Sequence, residues 1–522
     1  MVREGGAAAA DRRQDGGPQP VTRARRAIGL LAAAALLTAA GPVVTTDTGA
    51  VRGEALEQGA AWRGIPYALP PVGALRWREA QPVRAWPGVR DATRFGFDCP
   101  QKQEGNRPVH AQSEDCLTLN VITPDRAAKR LPVLFSIHGG AYAFGSGRYM
   151  AEAGLSPLVR GGVILVSPNY RVGRFGFFAH PALVAEAGHG TGNFWLSDQL
   201  RALEWTRRNI ARFGGDPDNI TILGCSAGGS SVNALMAAPA ARGLFAKASA
   251  HSGGGFFNAT RPLARAEAEG AAFATRAGVA DTGAAGLAAL RRLSIAQVLA
   301  ADPGPPAFGA IVDGRLVPDA ISAIFARGEQ AHVPFIAGST SNEASVFGLM
   351  GFDAATLKRL FGIDLDSWRP RYETAGPLSD AELIRRVQTD FIFTSAALGM
   401  AALASYRAPA WSYHFDFVPP AERASVPGAP HCADMPYLFG TAREDDPRTA
   451  AMAQHWRSMW LNFLRSGDPN GQGPSVWPRT RPGTHETLLV EDRMTVVHGI
   501  RPAAIAAWHA RWQQESGVSI QP

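Results

Sequence analysis

The sequence predicts an α/β fold with a mostly parallel central sheet and helices on both faces. Three observations carry this expectation. Short, nearly continuous apolar runs recur along the chain, as in strands buried on both faces. Segments of helical period alternate with them, the order that builds such a sheet. A G-x-S-x-G turn, Gly224-Cys225-Ser226-Ala227-Gly228, joins a run of the first kind to a segment of the second.

Taken in order, Thr48 to Gly53 and Gly64-Ile65-Pro66-Tyr67 read as short extended pieces punctuated by Gly and Pro. Leu131 to Ile137 (L-P-V-L-F-S-I) and Val163 to Ser167 (V-I-L-V-S) read as buried strands. Asp198 to Phe213 carries Leu200, Leu203, Ile210 and Phe213 at helical spacing, and Asn219 to Leu223 reads as the next strand. A helix is expected from Gly228 onward, and helical excursions from Arg265 to Leu299. Val333 to Ala337 and Trp411 to Phe415 read as further strands, Asp380 to about Ser405 and Ala450 to Arg465 as helices. With no fixed-period repeat and no long linker, residues 41–522 are expected to form one domain.

The chain has 522 residues, 46% of them hydrophobic and only 19% charged, which excludes a disordered protein. The formal charge of +7 raises the question of nucleic acid. The clearest basic cluster, Arg23, Arg25 and Arg26, sits at the N-terminus while the body is mixed in sign, so no nucleic-acid partner is expected. Those arginines precede an apolar run from Ala27 to Leu37 and the small residues Thr38-Ala39-Ala40. This is the layout of an export signal over residues 1–40, and the expected destination is the periplasm or the medium. No later run approaches the ~20 uninterrupted apolar residues that span a bilayer. Export makes the four cysteines, Cys99, Cys116, Cys225 and Cys432, disulfide candidates, and four allow three pairings.

The serine turn states the chemistry. A serine hydroxyl is a weak nucleophile at neutral pH and needs a base within reach, itself oriented by a third group. After a strand-to-helix serine turn the partners follow in the order serine, acid, histidine. Glu343 closely follows the Val333–Ala337 strand, and His431 lies in the loop Gly428-Ala429-Pro430-His431, so Ser226, Glu343 and His431 fit that order. Acyl transfer also needs donors for the oxyanion. His138-Gly139-Gly140-Ala141 follows a buried strand, and the N–H groups of Gly139, Gly140 and Ala227 are the expected hole. The remaining histidines show no metal-ligand spacing, so neither metal nor organic cofactor is expected.

At this point the chain resembles the type-B carboxylesterase/lipase family of the α/β-hydrolase fold, which includes cholinesterases and bacterial nitrobenzyl-type esterases. The resemblance runs through Gly64-Ile65-Pro66-Tyr67-Ala68, Pro70-Pro71-Val72-Gly73, Ser113 to Val121 (S-E-D-C-L-T-L-N-V), Asn169-Tyr170-Arg171-Val172-Gly173, Phe213-Gly214-Gly215-Asp216-Pro217 and Gly467-Asp468-Pro469-Asn470. It implies an esterase of small-molecule substrates with Ser226 as nucleophile, Glu343 as acid, His431 as base, and the oxyanion hole named above. It also implies a Cys99–Cys116 disulfide. Two other readings stand beside it: a lipase-like hydrolase of long-chain esters, and a non-catalytic binding protein of the same fold.

The chain departs from that family at three places. The family usually has glutamate at Cys225 and often glycine at Cys432. Neighbours of a serine and a histidine in contact lie close, so a Cys225–Cys432 bridge is expected, similar to the Cys-Ser…His-Cys arrangement of the separate tannase-type esterases. The alternative is two unpaired small buried residues. Trp195 stands where the family often has glycine. It, Tyr142 and Phe347 are pocket candidates, with Phe256 and Phe257 beside them; ordinary core packing is the other reading of each.

Overall fold

The apolar runs pair into one sheet, which contains eleven strands among the described residues. The computed structural model describes residues 41–102, 110–124, 128–256, 260–302, 308–347, 353–471, 476–484 and 486–518. The expected signal over 1–40 and Phe257 lie outside them. In chain order the strands are β1 (Glu54–Ala55), β2 (Ala60–Pro66), β3 (Thr118–Thr123), β4 (Leu131–Ile137), β5 (Ile164–Pro168) and β6 (Gly215–Cys225). Then come β7 (Lys247–His251), β8 (Phe335–Thr340), β9 (Ala410–Phe415), β10 (Glu486–Val490) and β11 (Met494–His498). Their order across the sheet is β11-β10-β9-β8-β7-β6-β4-β5-β3-β2-β1. Neighbours from β10 to β5 run parallel, while β3, β2, β1 and β11 add antiparallel edges.

That order decides where a site can form. After β4 the chain adds β5 on one side and then β6 on the other, so the strand order reverses at the carboxyl ends of β4 and β6, the place where sheets of this kind carry their sites. His138-Gly139-Gly140 leaves β4 there, and Ser226 leaves β6.

The helices that matter are α1 (Phe194–Asn209), α2 (Ala227–Ala237), α3 (Ser395–Ser405), α4 (Asp434–Phe439), α5 (Pro447–Ser466) and α6 (Pro502–Ser516). The start of α5 shows why its sequence folds so. The Asp446 side chain accepts the N–H groups of Arg448 and Thr449 at 3.0 and 3.1 Å, Pro447 occupies the first turn, and Gly467 closes the end in the left-handed region.

Three expected elements depart most from their expected bounds or continuity. α1 begins at Phe194 rather than Asp198, because its first turn (Phe194, Trp195, Leu196) is buried and shows no polar face to mark the period. β6 reaches back to Gly215 through the turn-like Asp216-Pro217, held there by pairing with β4. The Asp380–Ser405 stretch is an α-helix (Asp380–Thr389), a π turn (Asp390–Thr394) and then α3. It is long and apolar enough to cross a membrane, yet 83% of its most apolar window is buried, with α3 against β8 and β9. It is a core helix.

Candidate active site

Ser226 sits where β6 ends and α2 begins, with φ 61° and ψ −124°, a conformation an L-residue holds only when its surroundings enforce it. The surroundings do. A Cβ on Gly224 would lie 2.5 Å from the Gly228 carbonyl, and one on Gly228 would lie 2.2 Å from the Ile137 carbonyl oxygen. Strand, turn and helix therefore touch backbone to backbone. The Ser226 N–H donates to the His251 carbonyl at 2.9 Å, and its own carbonyl takes the Ser230 N–H at 2.9 Å to start α2.

Glu343 follows β8 in a single 3₁₀ turn and has no exposed surface. One carboxylate oxygen accepts the Thr340 N–H at 2.7 Å, and the other accepts from His431 Nδ1 in a short hydrogen bond. The two loops are laced together: the Asn342 N–H donates to the Ala429 carbonyl, the Ala429 N–H to Ser341 Oγ, and the His431 N–H to Ser345 Oγ, each at 2.9 Å. The other ring nitrogen of His431, Nε2, is buried with no hydrogen-bond partner among the described residues.

The cysteines join these pieces. Cys225, before the serine, is bonded to Cys432, after the histidine, with Cα atoms 6.1 Å apart and a sequence separation of 207. Cys432 also has positive φ, 61°. A second disulfide joins Cys99 to Cys116, so all four cysteines are paired.

Gly139 and Gly140 run beside the serine. A Cβ on Gly139 would fall 2.7 Å from the Cys225 carbonyl oxygen and 3.2 Å from the Ser226 Cβ, and Gly140 has φ 114°. Among the described residues the N–H groups of Gly139, Gly140 and Ala227 donate to no protein acceptor. His138 Nδ1 donates to the Gly139 carbonyl at 2.9 Å, which fixes the plane of the peptide carrying the Gly140 N–H. Burial pushes the His138 imidazole down to about 4, so it stays neutral.

The pocket candidates divide. Trp195 has no exposed surface, stacks on Phe177 with centroids 5.1 Å apart and donates Nε1 to Asn193 Oδ1 at 3.3 Å, so its place is the core. Tyr142 packs against Phe177 and Trp195 at 4.9 and 5.0 Å and is 8% exposed. Phe347 is 1% exposed and lies edge-on to Phe393 at 6.0 Å. Phe393 itself packs on the His431 ring, centroids 4.8 Å apart. The sequence reading missed it, because the π turn that aims it there has no sequence period. Nor did the sequence mark the buried trio His251, Tyr413 and Asp434; the one clue was an acid three residues after His431. No cluster of His, Cys, Asp and Glu able to hold a metal ion occurs among the described residues.

The profile described as "Carboxylesterase family" matches residues 40–372 and 366–508. The chain is 34% identical to a para-nitrobenzyl esterase of Bacillus subtilis (strain 168), across 87% of this chain and 96% of that protein. It is 33% identical to a fumonisin B1 esterase of Sphingopyxis macrogoltabida, across 83% and 84%. Among solved structures, a PNB esterase superposes with TM-score 0.76 at 33% identity, covering 87% of this chain and 97% of that one. A carboxylesterase of Geobacillus stearothermophilus superposes with TM-score 0.77 at 33% identity, covering 89% and 99%. A mostly parallel sheet with a serine turn at its switch point, matched over nearly its whole length, places the chain in the carboxylesterase family, with the α/β-hydrolase fold, as a carboxylic ester hydrolase.

Proposed function

We propose that the protein hydrolyses small-molecule carboxylic esters through a covalent acyl-enzyme on Ser226. His431 Nε2 takes the serine proton as Oγ attacks the carbonyl carbon, and later gives it to the leaving alcohol. Glu343 holds Nδ1–H and stabilises the imidazolium that forms. The N–H groups of Gly139, Gly140 and Ala227 receive the oxyanion. Water then enters in place of the alcohol and attacks the acyl carbon as His431 removes its proton; the bond to Ser226 Oγ breaks, His431 returns the proton to Oγ, and the acid is released.

The observation that carries this reading is the state of the His431 ring. Nδ1 is spent on a buried carboxylate, Nε2 is buried without a partner among the described residues, and the next residue is bonded to the residue before Ser226. We further read residues 1–40 as an export signal ahead of a single domain, 41–522. The two disulfides support an oxidising compartment. The test is Ser226→Ala assayed on p-nitrophenyl acetate. A loss of about 10⁴–10⁶-fold in kcat is expected; undiminished turnover would overturn the assignment.

A further inference from the structure

Behind the site lie three titratable side chains that the proposed reaction does not use. His251 ends β7, Tyr413 is on β9, and Asp434 opens α4; all three have no exposed surface. They share one knot of hydrogen bonds. Asp434 Oδ2 lies 2.5 Å from His251 Nδ1 and accepts the Tyr413 hydroxyl at 2.7 Å, and that hydroxyl is 2.7 Å from His251 Nδ1. Trp460 closes the far side, its ring centroid 4.6 Å from that of His251. Burial alone would raise the Asp434 carboxyl, but His251 beside it and the Tyr413 hydroxyl hold it below the ordinary carboxylate value. Burial raises the Tyr413 phenol well above its usual range, so it remains a donor. The knot is therefore a carboxylate held by an imidazole and a phenol, none of the three with exposed surface.

Its attachments are what make it more than a packing detail. The carbonyl of His251 accepts the Ser226 N–H, so one residue holds the nucleophile by its backbone and Asp434 by its side chain. Asp434 lies three residues beyond His431, on the same segment as the bridged Cys432. Tyr413 covers Gly338, where any Cβ would meet its ring at 2.0 Å. Gly338 stands two residues before Thr340, whose N–H holds Glu343. The three chain segments that carry serine, acid and histidine thus converge on one buried polar cluster.

We propose that His251 is a positioning residue for ester hydrolysis: with Asp434 and Tyr413 it braces the Ser226 turn against the His431 segment, in parallel with the Cys225–Cys432 bridge. This rests on the Ser226–Glu343–His431 reading. The serine-to-histidine approach tolerates little error, since a displacement of about 1 Å can cost about 10²-fold in rate. The covalent bridge fixes only one pair of points, Cys225 and Cys432. A second, non-collinear tie is needed to stop the two segments from pivoting about it.

The test measures kcat per active site, with active sites counted by titration with a fluorophosphonate, so that misfolded protein does not enter. His251→Ala is expected to lower kcat per titrated site about 10- to 100-fold with KM changed less than about 3-fold. His251→Gln, which can still donate to Asp434, is expected to recover most of that loss. Unchanged kcat per titrated site together with a lowered Tm would make the cluster merely structural and overturn the proposal. A milder arm covers poor folding of His251→Ala. Tyr413→Phe is compared in the native background and in Cys225→Ser/Cys432→Ser. Parallel braces predict a combined kcat loss at least about 3-fold beyond the product of the separate losses, and strictly multiplicative losses overturn the proposal. Labelling of Ser226→Ala by the same fluorophosphonate would instead refute the triad, which separates the two failures.

Discussion

Glu343 has both oxygens engaged, one by the Thr340 N–H and one by His431. In Glu343→Gln the amide can present an NH₂ to Nδ1, which favours the tautomer with its proton on Nε2, where a base must have none. A fall of about 10⁴-fold in kcat is expected, with far-ultraviolet circular dichroism unchanged. Gly139 is constrained from the other side. Its missing side chain makes room for the Cys225 carbonyl, so Gly139→Ala must push the loop away from Ser226 and misaim two donors. A loss of about 10²–10³-fold in kcat, on several esters alike, is the expected reading. His138 supplies a pH dependence. The unfolded chain protonates it near 6.5 while the folded one resists until about 4, so acid favours unfolding across that window. Stability should therefore be intact above pH 6.5 and fall as the pH drops toward 4. Urea titrations of His138→Phe should show a flatter fall over the same range.

Each element at the site is shaped by something outside itself. The serine turn is held by α2 pressing Gly228 onto the Ile137 carbonyl of β4, not by any local preference of Ser226 for positive φ. The π turn Asp390–Thr394 is held by the segment leading into α6. Asp390 has no exposed surface, and both its oxygens accept from the Arg501 guanidinium, one of them from Nε at 2.8 Å. Arg501 itself sits in the left-handed region, φ 43°. Removing it strands a buried carboxylate next to the helix that presses Phe393 on His431. Arg501→Ala is expected to lower unfolding stability by about 3–5 kcal/mol in urea titration. A change below about 1 kcal/mol would show that water reaches Asp390.

For the whole molecule the two disulfides should differ in what they contribute. The Cys99–Cys116 loop spans 17 residues and the Cys225–Cys432 loop 207. By loop-closure entropy, opening the first costs about 3 kcal/mol and opening the second about 5 kcal/mol. Guanidinium unfolding of Cys99→Ala/Cys116→Ala and Cys225→Ala/Cys432→Ala should follow that order. Only the second pair should also lower kcat, because only it touches the serine and histidine segments. Equal activity losses in the two variants would contradict this.

The sequence alone determined the class of fold and the ester-hydrolase class of the chain. Its strands are buried on both faces, so apolar runs such as Leu131–Ile137 had to be continuous, and a serine turn of Gly-x-Ser-x-Gly form leaves few options for what can stand around it. Local chemistry writes such features in local residues. What tertiary structure decided is where distant segments meet. The backward reach of β6 to Gly215 is set by pairing with β4, and the break in Asp380–Ser405 by a carboxylate that needs Arg501. Trp195 went to the core because Phe177 stacks on it and Tyr142 packs against it, although its position in the sequence suited a pocket equally well. His251, Tyr413 and Asp434 looked unremarkable one by one, since none is near the others in sequence and each acquires its role only from partners brought by the fold. Periodicity and turn chemistry are short-range and legible in one dimension; hydrogen bonds across 160 or more residues, such as that between His251 and Asp434, are not.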